Sequence, residues 1–172
     1  MLQVDTRRTR MEATLESRIL RAKELARSGD ADGAAQLADE LIAAHPQEMQ
    51  VWLLRGNLHE LGDNHAAATA DLTRAIELNS GEPHLFYTRG RYRFQLGNNA
   101  GAVEDFDSGL ELCDRLENDY YRGELHFWRA EALIRLGEMQ KALQDLSHVR
   151  DDHRAWTYQL RTKQDLLRDC RT

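Results

Sequence analysis

The sequence predicts an all-α chain built as a solenoid of four helix hairpins and closed by a C-terminal capping helix. Three observations carry this. Arg21, Arg55 and Arg89 recur at steps of 34 residues, and Arg129 follows after 40. Ala34, Ala68, Ala102 and Ala142 repeat with the same steps, as do Leu41, Ala75, Gly109 and Val149. A glycine interrupts each unit between two runs of helical apolar spacing: Gly29, Gly62, Gly97 and Gly137. A period of this length marks stacked supersecondary units, because a lone hairpin cannot bury its apolar face and each unit must cover its neighbour.

Residues 1 to about 9 read as a loose polar tail ahead of an array over about 10–151. The first helix is predicted from Thr9 or Arg10 to Ser28, with Leu15, Ile19, Ala22, Leu25 and Ala26 on one face. Gly29 tolerates the left-handed backbone that ends a helix, and Asp30 then caps a second helix that stops at Ala44, before Pro46. This unit covers about 15–48. The second, about 49–82, has helices over 48–61 and 64–78, with Asn64 as cap. The third, about 83–116, places Pro83 in a first helical turn, where its missing N–H costs nothing, and has helices over 83–96 and 99–115. Asn98 or Asn99 caps the second of these.

The longer step of 40 places an insertion of six residues between Leu116 and Arg122. It is expected to lengthen the flanking helices, because Tyr120 and Tyr121 suit packing better than a loop tip. The fourth unit, about 123–151, then has helices over 119–136 and 138–149. A last helix over about 152–169, within a capping region 152–172, is capped by Asp151 or Asp152 and carries the stripe Trp156, Leu160, Leu167. Such a helix covers the apolar face that a terminal unit exposes. The lesser alternative makes Trp156 and Tyr158 a partner-binding patch.

Composition narrows the function classes. A hydrophobic content of 41 % and a charged content of 30 % are ordinary for a soluble globular protein. The net charge of −6 weighs against a nucleic-acid backbone as main partner. Cys113 and Cys170 lie far apart and make no disulfide framework, which suggests a reducing, cytoplasmic compartment. No apolar run approaches the roughly 20 residues that cross a bilayer, and the N-terminus lacks the hydrophobic stretch of a secretory signal. No membrane partner is expected. The seven histidines form no i, i+4 pair and have no cysteine within four residues, so no metal site is expected. Neither a phosphate-cradling glycine loop nor a nucleophile elbow is present, so no cofactor or catalytic residue is expected.

Two charge patterns remain. Asp71, Asp105 and Asp145 each follow an arginine of the column by 16 residues, on the opposing helix of the hairpin. Paired buried charges are the expected reading, with a basic stripe for an acidic ligand as the alternative. Leu37 takes the aspartate's place in the first unit, so Arg21 needs another partner. Residues 1–28 hold seven basic and four acidic groups, whereas 29–82 hold two basic and ten acidic. A solvated outer face explains this, and a surface for a basic partner is the alternative.

The columns Trp52, Gly56, Gly62, Ala68, Leu72, Ala75 and Phe86, Gly90, Gly97, Ala102, Phe106, Gly109 resemble the tetratricopeptide repeat (TPR) family. The outer units match with Arg18, Ala22, Gly29, Ala34, Ala38, Leu41 and with His126, Ala130, Gly137, Ala142, Leu146, Val149. Arg18 and His126 depart from the family's aromatic position, and Gly62 sits one place early. The resemblance spans about residues 15–156 and implies a right-handed α-solenoid with about nine helices in all and no sheet. It also implies a concave surface lined by the first helix of each unit. By register that lining is Ile19, Lys23, Leu53, Asn57, Tyr87, Arg91, Phe127 and Glu131, centred on Tyr87 and Arg91. Family members that grip chaperone tails use a Lys/Asn, Asn, Lys/Arg clamp. The matching positions here hold Ile19 and Lys23, Leu54, then His84 and Thr88, so that clamp is absent. The implied function is non-catalytic binding of a protein or peptide partner, as an adaptor, assembly chaperone or toxin-immunity protein. An enzyme with an unrecognised site and a nucleic-acid-binding repeat are the alternatives.

Overall fold

The structure is a computed structural model that describes residues 14–156 and 160–171. The predicted tail, the predicted helix start at Thr9 or Arg10, and Tyr158 lie outside the described residues. Eight helices form four consecutive hairpins: α1 (Leu15–Arg27), α2 (Ala31–Ala44), α3 (Met49–Leu61), α4 (His65–Leu78), α5 (Pro83–Gln95), α6 (Asn99–Leu116), α7 (Arg122–Arg135) and α8 (Met139–Ser147). Each helix packs on the next in sequence, and α1 with α3 and α5 with α7 also touch. The result is an all-α solenoid.

Local chemistry sets the boundaries. Thr14 caps α1 by accepting from the Ser17 amide, at the point where the apolar face begins with Leu15. Asp30, Asn64 and Asn98 cap α2, α4 and α6 with side-chain oxygens that accept orphaned amides of the first turn. Gly29, Gly97 and Gly137 carry φ of +90°, +77° and +79° at three hairpin turns. In the second unit the displaced Gly62 does not; Asp63 takes the left-handed position at φ +54°.

The repeat columns are the core. Ala22, Ala34, Ala38, Ala68, Ala75, Ala102, Ala130 and Ala142 are fully buried. Small residues let paired helices approach: a Cβ built on Gly90 would lie 2.5 Å from the buried ring of Phe106. Three apolar clusters are strung along the stack, and the one in the last two units holds Phe94, Phe106, Phe127 and Trp128.

Two expectations are corrected. The insertion lengthens only α6, which has 18 residues against 14 in α2 and α4. Glu117, at φ +51°, ends α6; α7 starts at Arg122 rather than 119, and Tyr120 is 81 % exposed in the connecting loop. Tyr121 does pack, with its ring 5.6 Å from that of Tyr87.

The single C-terminal helix over 152–169 is the second correction. Against the expectation of no sheet, a two-stranded antiparallel hairpin, β1 (Arg154–Trp156) and β2 (Leu160–Thr162), replaces its first half, and only α9 (Lys163–Asp169) is helical. Neither Asp151 nor Asp152 caps it. Thr162 accepts from the Asp165 amide while Asp165 accepts from the Thr162 amide, a reciprocal capping box that fixes the helix start. α9 packs on α7 and α8 with Leu166 fully buried, so this end of the stack is covered as expected.

Candidate functional site

The arginine column is structural in its last three members. Arg55 donates from Nε and Nη2 to both carboxylate oxygens of Asp71, at 2.9 and 2.8 Å. Arg89 holds Asp105 the same way at 3.0 and 2.6 Å, and Arg129 holds Asp145 at 2.8 and 2.5 Å. The remaining Nη1 reaches back to the preceding unit: to Asp39 from Arg55, to the Thr73 hydroxyl from Arg89, and to Asp107 from Arg129. Each arginine therefore joins three helices through its planar fork. A free basic stripe is thereby excluded for these three. Arg21, lacking the aspartate, pairs within its own helix with Glu24 at 3.6 Å.

The partnering carboxylates are almost wholly buried, and their acidities differ. Burial pushes the Asp105 carboxyl up, and Arg89 and Arg93 only partly offset it. Burial acts upward on Asp145 too, but hydrogen bonds from Arg129 and His126 together outweigh it and hold its pKa below the ordinary value. His126 thus serves its aromatic column differently: Nδ1 lies 2.8 Å from Asp145, and the ring stacks on His148. The other departure, Arg18, reaches Glu40 at 3.1 Å.

The first helices, α1, α3, α5 and α7, present the candidate binding face. Leu53, Asn57, Tyr87 and Arg91 are half-buried there, and Lys23 is exposed. Arg91 lies between the rings of Tyr87 and Trp128, 5.6 and 5.4 Å from their centroids, and donates to Glu60 at 3.1 Å. The Tyr92 hydroxyl donates to the other oxygen of Glu60 at 2.9 Å. Burial pushes the Tyr87 phenol up to about 12, with Arg91 opposing. Glu60 and Trp128 were not singled out from the sequence, although Glu60 stands one helical turn beyond Asn57 on the same face.

The structure does not bring all eight predicted residues together on an open surface. Ile19 is buried in the first apolar cluster. Phe127 and Glu131 are covered by the chain's own C-terminal segment. The His153 ring packs 4.7 Å from Phe127, and Arg161 of β2 lies 3.5 Å from Glu131, which Arg135 also approaches. Burial raises the Glu131 pKa, with Arg161 the chief opposing charge.

A cavity of about 370 Å³ opens where α1 meets α3, among Lys23, Ala26, Arg27, Asn57, Leu58 and Glu60. A second, of about 550 Å³, lies across the same junction and shares Ala26, Leu58 and Leu61 with it. Among the described residues no group of three potential ligands converges to hold a metal ion, and no helix is long and apolar enough to cross a membrane.

A family model for the tetratricopeptide repeat matches residues 19–83 and 87–152. No curated protein matches the chain. Among solved structures, the crystal structure of MamA aligns with a TM-score of 0.67 at 17 % identity, covering 78 % of this chain and 70 % of that one. YrrB, described as a TPR protein with an unusual peptide-binding site, aligns with a TM-score of 0.67 at 19 % identity, over 82 % of this chain and 69 % of that one. A Thermobaculum terrenum O-GlcNAc transferase mutant aligns with a TM-score of 0.62 at 26 % identity, over 83 % of this chain but 28 % of the transferase.

Proposed function

The chain belongs to the tetratricopeptide repeat family, and on that premise we propose that it is a non-catalytic module holding a protein or peptide against the face of its first helices. One observation carries the reading. Leu53, Asn57, Tyr87 and Arg91 stand half-exposed on one face while the fourth unit's equivalents are closed over by the C-terminal segment. The binding surface is therefore the first three units, with Tyr87 and Arg91 at its closed end. Tyr offers large contact area for little ordering entropy, and Arg offers planar donors; both are enriched where interface energy concentrates. YrrB has an unusual peptide-binding site, which agrees with this choice of ligand. An adaptor, assembly-chaperone or toxin-immunity role fits such a module. Two free thiols fit a reducing cytoplasm.

The test starts from the protein that copurifies stoichiometrically from native lysate. Tyr87→Ala with Arg91→Ala should weaken its binding by about 2 kcal/mol or more in calorimetry, while circular dichroism shows the array still folded. Glu111→Ala on α6, an exposed residue of a second helix, should be silent. Asp39 and Glu40 are unsuitable as controls, because they pair with Arg55 and Arg18. Loss of binding in Glu111→Ala with retention in the groove pair would place the partner on the outer face and end this reading.

A further inference from the structure

The cavity between α1 and α3 differs from the equivalent place one unit on, and the difference names a ligand. At the α3–α5 junction, Glu60 accepts from the Tyr92 hydroxyl and from Arg91, and the Tyr92 ring, 1 % exposed, fills the space. Stepping back 34 residues along the repeat converts Glu60 to Ala26, Tyr92 to Leu58 and Arg91 to Asn57. The carboxylate and the aromatic ring are both missing at the first junction, and Ala26 and Leu58 line the cavity left there. Cations remain beside it. Lys23 and Arg27, one helical turn apart on α1, line the cavity and have no ion pair among the described residues. Most arginines elsewhere in the stack are paired, so these two stand out. Like charges at this spacing repel, and an anion between them relieves the repulsion.

We propose that this cavity is a subsite, within the binding face proposed above, for an acidic residue of the partner that stands beside a large apolar or aromatic side chain. The partner's carboxylate meets Lys23 and Arg27, with the Asn57 amide in reach of its peptide backbone. The neighbouring side chain enters over Ala26, Leu54 and Leu58 and replaces the ring that Tyr92 supplies one unit on. Glu60 also lines the cavity, but Arg91 at 3.1 Å offsets its charge, and its other oxygen is turned to the Tyr92 hydroxyl. The volume, about 370 Å³, lies at the small end of known ligand sites, enough for one large side chain and its carboxylate neighbour but not for a folded helix end. The proposal rests on the binding-face reading and narrows it to a sequence preference.

The probe is a displayed library of random heptapeptides, panned on the full chain after depletion on Ala26→Glu/Leu58→Tyr. That variant restores the carboxylate–tyrosine pair of the second junction and fills the cavity. Retained peptides should carry Asp or Glu within two residues of Phe, Tyr, Trp or Leu. Their synthetic forms should bind at least tenfold more weakly to the filled variant and to Lys23→Glu/Arg27→Glu, and more weakly as salt rises. The filled variant should melt no lower than the parent; if it fails to fold, the exposed Lys23→Glu/Arg27→Glu pair decides. Basic peptides, no shared motif, no enrichment, or binding to both variants as tight as to the parent would overturn the proposal. Peptides sensitive only to Tyr87→Ala/Arg91→Ala would overturn it while leaving the binding face in place. Peptides indifferent to all these variants would count against the face as well.

Discussion

Replacing Arg89 with methionine tests whether the arginine column holds the stack together. The change removes donors at 3.0 and 2.6 Å from Asp105 and the link to Thr73 on the preceding unit. Asp105 is 2 % exposed, so water does not take over. Breaking a buried pair by removing one member costs about 3–5 kcal/mol, chiefly from the charge left behind. Arg93, 3.2 Å from the same carboxylate, remains and moves the expectation to the lower end, about 3 kcal/mol. At about 2–4 °C per kcal/mol for a domain of this size, Tm should fall by about 6–12 °C. Asp105→Leu alone strands Arg89 and should cost about as much. The double variant should lose far less than the two single losses added, because an apolar pair of similar volume is often neutral against a buried ion pair. Urea unfolding followed by circular dichroism at 222 nm gives all four corners of the cycle. Single losses below about 1 kcal/mol, or a double variant equal to their sum, would show that the pair is not the shared fastening described above.

Two further predictions follow from the last unit. Asp145 has its pKa lowered in the folded chain, so its stabilising contribution is present above the unfolded carboxyl value, about 3.9, and is lost as pH falls through the folded value. The stability gap between the parent and Asp145→Asn should therefore be widest near neutral pH and narrow below about pH 4; a gap that stays constant or widens on acidification refutes the assignment. Removing residues 151–172 should uncover Phe127 and the groove side of α7, seen as faster amide exchange on α7 and increased binding of a hydrophobic dye. Unchanged exchange there would mean that the C-terminal segment does not shield the fourth unit.

What was legible from the sequence was the part that repeats. The 16-residue spacing of Arg55–Asp71, Arg89–Asp105 and Arg129–Asp145 sets opposing positions of one hairpin, and the structure joins all three pairs. The alanine columns are buried for the same reason: a periodic interface needs the same small residue at each crossing. The C-terminal segment repeats nothing, so helical spacing of Trp156, Leu160 and Leu167 was read there without a second unit to test it. Two local signals favoured the observed outcome. Thr162 and Asp165 have capping-box spacing, and Trp156 favours extended backbone. The covering of Phe127 and Glu131 depends on where that hairpin folds back, a long-range contact that register along the repeat does not contain.

The placement of α9 also bears on how copies of the chain can assemble. A head-to-tail filament requires the last hairpin of one copy to offer a bare apolar face to the first hairpin of the next, repeated without closure. Leu166 already fills that face, and Lys163 ties the start of α9 to the Val149 carbonyl and to Asp151. Direct stacking of a second copy's first hairpin on that face is therefore blocked while α9 stays in place. Self-association that leaves α9 in place must use other surfaces.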